Sequence, residues 1–404
     1  MGPSSFAPCA LLSLLACGDN RPGPDAEAEP GLAFFEMPTL PEYNHISETS
    51  VAAAGNTVVA LAIHQRFFSA DSFEFPEEDN DPERPFRRLG YVRSTDGGVT
   101  FSETTPLVLA GRSDPVVVTA ADGTFWAAGI DPQKNGQTDL FHSSDGATFT
   151  KITSVPIQDK AWITVDEARQ SVWVAGFPTY SEVGFDGTVR ATVTGPGGIA
   201  SAYTDTAGLH VMDINKYQAY SWTGVATDAP QPEGAELPGG DAPSPFTFPS
   251  LQMGASVAGT WIVRGLRNSD VDAPIVVRVR QLPDEGSDVA ITAAGAVASL
   301  PTAALDAEGR LHVAWYDTRG PFGQLLYAHS ETTDLTGRYT PPMVVDGNAC
   351  PGNGFYPDSA RSDPPGGRRL REYIGITTSG RRAFITWTHA PEAPSRVRIA
   401  HVDF

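Results

Sequence analysis

Cysteine is scarce. Cys9, Cys17 and Cys350 are the only three in 404 residues, too few and too odd in number for a disulfide framework. Positive charge is scarce as well: Lys and Arg total 28 against 48 Asp and Glu, which leaves a formal net charge of −20. That balance excludes nucleic acid and anionic lipid surfaces as partners, because each needs a basic face. Long helical periodicity is absent, and 40 Gly with 34 Pro would break helices wherever they began. No Cys/His cluster has zinc spacing, no Gly-rich phosphate loop carries a Lys, and no Gly-x-Ser-x-Gly elbow occurs. The acidic run Asp71–Asp81 could offer Ca²⁺ a set of carboxylates, but it lacks EF-hand spacing and reads better as a solvated loop. No other cofactor is implied.

What is present is strand grammar. Apolar residues make up 41% of the chain, enough to bury a core. From Gly31 onward, short apolar or alternating runs are separated by Gly, Asp and Pro turns. One hairpin recurs: a strand of small residues, a tight turn, then a strand rich in Val and Trp. Its copies are Ser50–Ile63, Pro115–Ile130, Ala161–Phe177, Ile199–Ile214, Pro249–Gly265, Pro301–Asp317 and Tyr373–Trp387. They repeat about every 53 residues, which is propeller spacing. Small residues suit the crowded innermost strand of a blade. The expected fold is therefore an all-β propeller over 31–404, of seven blades, or six if one hairpin is an insertion. Two stacked sandwiches or a jelly roll are the alternatives. The stretch Leu32–Leu40 is expected to pair with Arg396–Phe404 and shut the circle, leaving no open edge.

The N-terminus carries an apolar stretch from Phe6 to Ala16, too short to span a bilayer, ending in Leu14-Leu15-Ala16-Cys17. That tetrapeptide resembles the bacterial lipobox. The resemblance implies that residues 1–16 are an export signal, that Cys17 is lipidated, and that Gly18 directs the protein to the outer membrane of a diderm cell. Residues 17–30 continue in a polar, Pro-rich stretch that reads as a flexible tether.

Ser94-Thr95-Asp96-Gly97-Gly98-Val99-Thr100-Phe101 matches Ser/Thr-x-Asp-x-Gly-x-Thr-aromatic, and Ser143-Ser144-Asp145-Gly146-Ala147-Thr148-Phe149 is a version one residue shorter. These are Asp-boxes, and through them the body resembles the sialidase-like propellers with bacterial neuraminidase repeats. The resemblance implies a structural role for the boxes, through Ser94, Asp96, Gly98, Thr100, Phe101, Ser143, Asp145, Gly146 and Phe149, on the face away from any substrate.

The opposite face is expected to gather the residues before each inner strand and after each second strand. Arg66, Arg112, Asp114, Asp159, Arg264, Asp317, Arg319 and Arg371 are the ligand-binding candidates, and His64 and His389 fall on the same loops. Sialidase chemistry needs an arginine cluster on the sugar carboxylate, a Tyr nucleophile with a carboxylate beside it, and an acid/base Asp. Arg66, Arg264 and Arg319 could form the cluster, and Asp317, Glu372 and Tyr373 are the catalytic candidates. Glu372 and Tyr373 are adjacent, so on a strand they would face opposite ways. The family's early Arg-Ile-Pro motif is replaced by His64-Gln65-Arg66-Phe67. The expectation is accordingly a monomeric, exported, lipid-anchored module that binds a glycan or an envelope protein without catalysis, with a sialidase-like glycoside hydrolase as the alternative. Two carboxylates beside an arginine in one pocket would favour the enzyme; exposed aromatics at the rim would favour the binder. The segment Asp346–Arg371 is expected to be irregular, either capping the funnel with Cys350 and Tyr356 or forming an exposed insertion.

Overall fold

The computed structural model describes residues 32–66, 87–107, 113–131, 136–194, 199–205, 208–213, 217–221, 231–233, 251–257, 259–267, 275–282, 289–293, 295–351, 373–390 and 394–404. The described strands form seven four-stranded antiparallel sheets. A short strand, β1 (Phe34–Glu36), comes first. Sheet 1 holds β2 (His45–Ala54), β3 (Thr57–Gln65), β4 (Arg87–Ser94) and β5 (Thr105–Pro106). Sheet 2 holds β6 (Ser113–Thr119), β7 (Phe125–Asp131), β8 (Gln137–Ser143) and β9 (Thr150–Val155). Sheet 3 holds β10 (Asp159–Asp166), β11 (Ser171–Phe177), β12 (Thr179–Gly184) and β13 (Val189–Thr194). Sheet 4 holds β14 (Ile199–Asp205), β15 (Gly208–Asp213), β16 (Tyr217–Ser221) and β17 (Gln231–Glu233). Sheet 5 holds β18 (Leu251–Ser256), β19 (Gly259–Arg267), β20 (Ile275–Leu282) and β21 (Val289–Ala290). Sheet 6 holds β22 (Ala298–Leu305), β23 (Leu311–Asp317), β24 (Phe322–His329) and β25 (Met343–Pro351). Sheet 7 holds β26 (Gly375–Ser379), β27 (Arg382–His389) and β28 (Arg396–Asp403), and its fourth strand is β1, with Phe34 opposite Ala400.

The second strands explain the apolar runs. β7 and β23 are buried along their whole length because each sheet is covered on both faces by its neighbours. Four second strands place a fully buried tryptophan in the wedge between sheets: Trp126, Trp173, Trp315 and Trp387. Apolar clusters accordingly join adjacent sheets, and one packs Ile46, Val58 and Val92 of sheet 1 against Phe384, Val397 and Ile399 of sheet 7.

The inner strands touch in a ring: β2, β6, β10, β14, β18, β22, β26 and β2 again. Side chains bridge every junction. Ser50 Oγ accepts from Val117 N (3.1 Å), and Glu167 accepts from Ala121 N just beyond the strands. Thr204 Oγ1 donates to Val165 O, and Ser201 Oγ accepts from Met253 N (3.2 Å). Gln252 Oε1 accepts from Ala303 N (2.6 Å), Thr378 Oγ1 donates to Leu305 O, and Ser379 Oγ donates to Gly55 O. Small hydroxyl and amide residues in the inner strands are thus fasteners between sheets.

Two expectations need correction. The first residues of the segment Asp346–Arg371 are not irregular: Asp346 to Pro351 lie in β25, where shifts in the pairing with β24 disguise the strand pattern. Cys350 is fully buried there, and burial, with Asp346 and Asp317 nearby, pushes its thiol well up, so it does not face a ligand. The remainder, Tyr356 included, lies outside the described residues. His64, expected on the open face, is also fully buried. Its Nδ1 accepts from Leu40 N (3.1 Å), and burial lowers its pKa to about 3, so it is a neutral packing residue.

Candidate functional site

The seven inner strands enclose a central cavity of about 300 Å³. Each sheet contributes to its wall, among them Ser50, Asp114, Trp162, Ser201, Gln252, Thr302 and Tyr373. The wall is not built from regular strands. Pairing between the inner and second strand shifts at Ser47/Thr49, Ser113/Val116, Asp159/Trp162, Ile199/Ser201 and Ser299/Thr302, always near the entry of the inner strand. Such bulges re-aim side chains. Four non-glycine residues with positive φ sit at this same level: Glu48 (47°), Asp114 (49°), Leu300 (53°) and Tyr373 (92°). Conformations so unfavourable for residues with a side chain persist only where the surroundings enforce them, and they concentrate at functional sites.

At this mouth Tyr373 Oη donates to Asp114 Oδ1 at 3.1 Å. The partners are 259 residues apart and belong to sheets 7 and 2, so only the meeting of the inner strands brings them together. Both are sequence candidates, Asp114 for ligand binding and Tyr373 for catalysis, but no sequence signal joins the two. Asp114 is the one carboxylate among the described residues lining the cavity, and no Arg, Lys or His is among them.

The remaining candidates lie elsewhere. Arg319 is held by Asp317 through Nε (2.9 and 3.0 Å) and Nη2 (2.5 Å), at the exit of β23 and away from the cavity wall. Arg264 is within β19, opposite Leu251, and nearly buried. Arg66 follows β3. The three arginines therefore do not converge on the cavity. Asp159 opens β10 opposite Phe177 and is exposed. Arg112, Arg371, Glu372, Cys17 and the acidic run Asp71–Asp81 lie outside the described residues. Among the described residues no group of three or more His, Cys, Asp or Glu is placed to hold a metal ion.

The open face also displays aromatics that the sequence reading did not single out. Phe177, at the exit of β11, is 45% exposed, and Phe322, at the entry of β24, is 48% exposed. Between sheets 6 and 7 lies a polar node with no sequence signal. Asp346 Oδ2 accepts from Trp387 Nε1 (2.9 Å), His389 Nδ1 (2.8 Å) and Arg398 Nη1 (3.1 Å). Burial would raise the Asp346 pKa, but His389, the Asn348 amide and Arg398 outweigh it and hold the carboxyl below its usual range.

On the opposite face, Asp96 organises the turn after β4. Its carboxylate accepts from Ser94 Oγ (2.8 Å), Val99 N (3.0 Å), Thr100 N (2.9 Å) and Thr100 Oγ1 (2.6 Å), and the Thr100 bonds foremost lower its pKa to about 2. Asp145 caps Ala147 N after β8. Two further turns at the same position use Asp186 with Thr188 and Asp334 with Thr336. Their Asp-x-Thr pattern was the overlooked signal.

No protein-family model and no curated protein matches the chain. Among solved structures, "YCF48 bound to D1 peptide" is similar at 11% identity and a TM-score of 0.50, the match covering 92% of this chain and 96% of that one. The sialidase of Trypanosoma rangeli in complex with sialic acid is similar at 9% identity and a TM-score of 0.45, covering 92% of this chain and 59% of the sialidase. The Hadza microbial sialidase Hz136 is similar at 10% identity and a TM-score of 0.45, covering 90% and 66%. Likeness at these identities is likeness of fold. The ring of sheets around one cavity, together with the match to YCF48 over nearly its whole length, identifies the chain as an all-β propeller.

Proposed function

We propose that this chain is a binding module that engages a glycan or an envelope protein across the face where its inner strands begin. Each sheet is read as one blade of a seven-bladed ring, shut by β1 in sheet 7; the side-chain bridges at all seven inner junctions support that reading. The observation that carries the binding role is the makeup of the cavity wall. It offers hydroxyls, an amide, Trp162 and a single carboxylate among its described residues, without the carboxylate pair that most glycoside hydrolases use. Exposed Phe177 and Phe322 on the same face supply apolar platforms. Cys17 is the lipidation site in this reading, and residues 17–30 tether the body to a bacterial envelope, at the outer membrane where there is one. The body acts there as a monomer.

A glycan array and a fluorogenic-glycoside screen on the full chain test the function. Binding without turnover is expected, weakened by Phe177→Ser and Phe322→Ser. Turnover abolished by Tyr373→Phe would replace the binding role with a glycoside hydrolase, a second reading favoured by the Tyr373–Asp114 hydrogen bond. Radiolabelled palmitate is expected to enter the wild type and not Cys17→Ala; equal labelling of both would refute the anchor.

A further inference from the structure

Resting on the binding reading above, we propose that the central cavity is a subsite for one uncharged, hydroxyl-rich unit, a neutral sugar residue, held by Ser50 and Gln252 with Asp114 and Tyr373 at the mouth. A cavity of about 300 Å³ lies at the small end of ligand pockets, so it admits one sugar ring rather than a long chain.

Three polar groups of the wall are oriented before any ligand arrives. Ser50 Oγ accepts from Val117 N and Ser201 Oγ from Met253 N; Ser50 is partly exposed, which leaves its hydroxyl proton to donate outward, whereas Ser201, 1% exposed, backs the wall. Gln252 Oε1 accepts from Thr302 Oγ1 (2.6 Å) and Ala303 N (2.6 Å). Those two bonds fix which end of the amide is oxygen and commit its Nε2 hydrogens to the other side. The wall thus presents fixed donors, to which sugar hydroxyl oxygens are acceptors. The Asp114 carboxylate and Tyr373 Oη accept from sugar hydroxyls in return. Trp162 offers an apolar surface for the C–H face of the ring. Donors held by inter-sheet bonds lose little freedom on binding, which favours affinity.

Charge selects against acidic sugars. A ligand carboxylate would enter beside Asp114, facing no cation among the described lining residues, in a chain of net charge −20.

The test is calorimetric titration of the full chain with methyl glycosides of neutral hexoses and pentoses, with the methyl glycoside of sialic acid, and with a lysine-containing peptide. A neutral glycoside is expected to bind and the other two are not. Gln252→Glu keeps the oxygen that fastens sheet 5 to sheet 6 while removing the donors, so it is expected to weaken neutral-sugar binding by about tenfold or more with an unchanged melting temperature. Tyr373→Phe is expected to weaken it as well. Sialoside binding equal to or tighter than neutral binding, peptide binding alone, or wild-type affinity in Gln252→Glu each overturns the cavity assignment. Glycan binding lost in Phe177→Ser and Phe322→Ser but unchanged in Gln252→Glu overturns the cavity and leaves the open-face module standing. Absence of binding to any probe overturns the cavity assignment.

Discussion

Replacing Asp346 by alanine is expected to destabilise the protein by about 3 kcal/mol, at the low end of the range for breaking a buried ion pair. The magnitude follows from what the carboxylate holds. It is 7% exposed and receives Trp387, His389 and Arg398 on one oxygen and the Asn348 amide on the other. Trp387, His389 and Arg398 belong to β27 and β28, whereas Asp346 and Asn348 sit in β25, so the carboxylate fastens the outer edge of sheet 6 to sheet 7. Without it, the Arg398 guanidinium, whose side chain is only 18% exposed, keeps Glu36 as a partner at 3.4 Å, which is why the lower figure applies. Urea unfolding followed by tryptophan fluorescence measures the loss, and a double-mutant cycle with Arg398→Met isolates the pair, with an expected coupling of about 1–3 kcal/mol. Because the folded carboxyl titrates below its unfolded range, this contribution is present in full above the unfolded pKa and is lost as pH falls through the folded one. A loss under about 1 kcal/mol, or a coupling indistinguishable from zero, would refute the claim that this node fastens the two sheets.

Three further outcomes are expected. Gly98→Ala would force a left-handed φ of 82° on alanine and place its Cβ 2.8 Å from the Phe384 ring, for a combined cost of about 2–4 kcal/mol. Gly380→Ala, also left-handed but with open space around it, should cost at least about 1 kcal/mol less; equal losses would mean that the Asp96 turn does not pack on sheet 7. Gly375→Ala would bring a Cβ to 3.0 Å from Val51 N and 3.1 Å from Ser50 Cα, and is expected to cost about 1–3 kcal/mol; a change under about 0.5 kcal/mol in urea unfolding would contradict the close approach of β26 to β2. His64 and His312 are buried, and burial lowers their pKa to about 3 and about 4. The unfolded chain therefore takes up protons that the folded chain refuses, and stability falls as pH drops from about 6.5 toward 4, by up to about 1.4 kcal/mol per unit for each histidine. His312→Gln should reduce that slope by one proton's share; an unchanged slope between pH 7 and 5 would show that His312 is not held neutral.

The repeated hairpins were legible because each blade is a local object. A strand of small residues, a tight turn and a Val- and Trp-rich strand leave the same trace in every copy, and continuous burial on both faces removes alternation from the second strands. The Asp96 turn was legible for the same reason, since the bonds of the Asp96 carboxylate with Ser94, Val99 and Thr100 lie within one short segment. The turns at Asp186 and Asp334 escaped notice because they bond a Thr two residues on, as Asp145 bonds Ala147, and drop the rest of the pattern. The node at Asp346 left no trace, because its donors are supplied 41 to 52 residues later and its strand is disguised by shifted pairing.

Local chemistry in the chain thus determined the strands, the turns and the composition that makes an acidic, apolar-cored β protein. The candidate site was decided by contacts between distant strands. Asp114 and Tyr373 meet only because the first and last thirds of the chain are brought around one axis. Ser50, Ser201 and Gln252, unremarkable in their own segments, become a shared wall only when seven inner strands converge. Short-range bonds are written in neighbouring residues, whereas a cavity lined by every sheet belongs to no single segment and exists only once the inner strands meet.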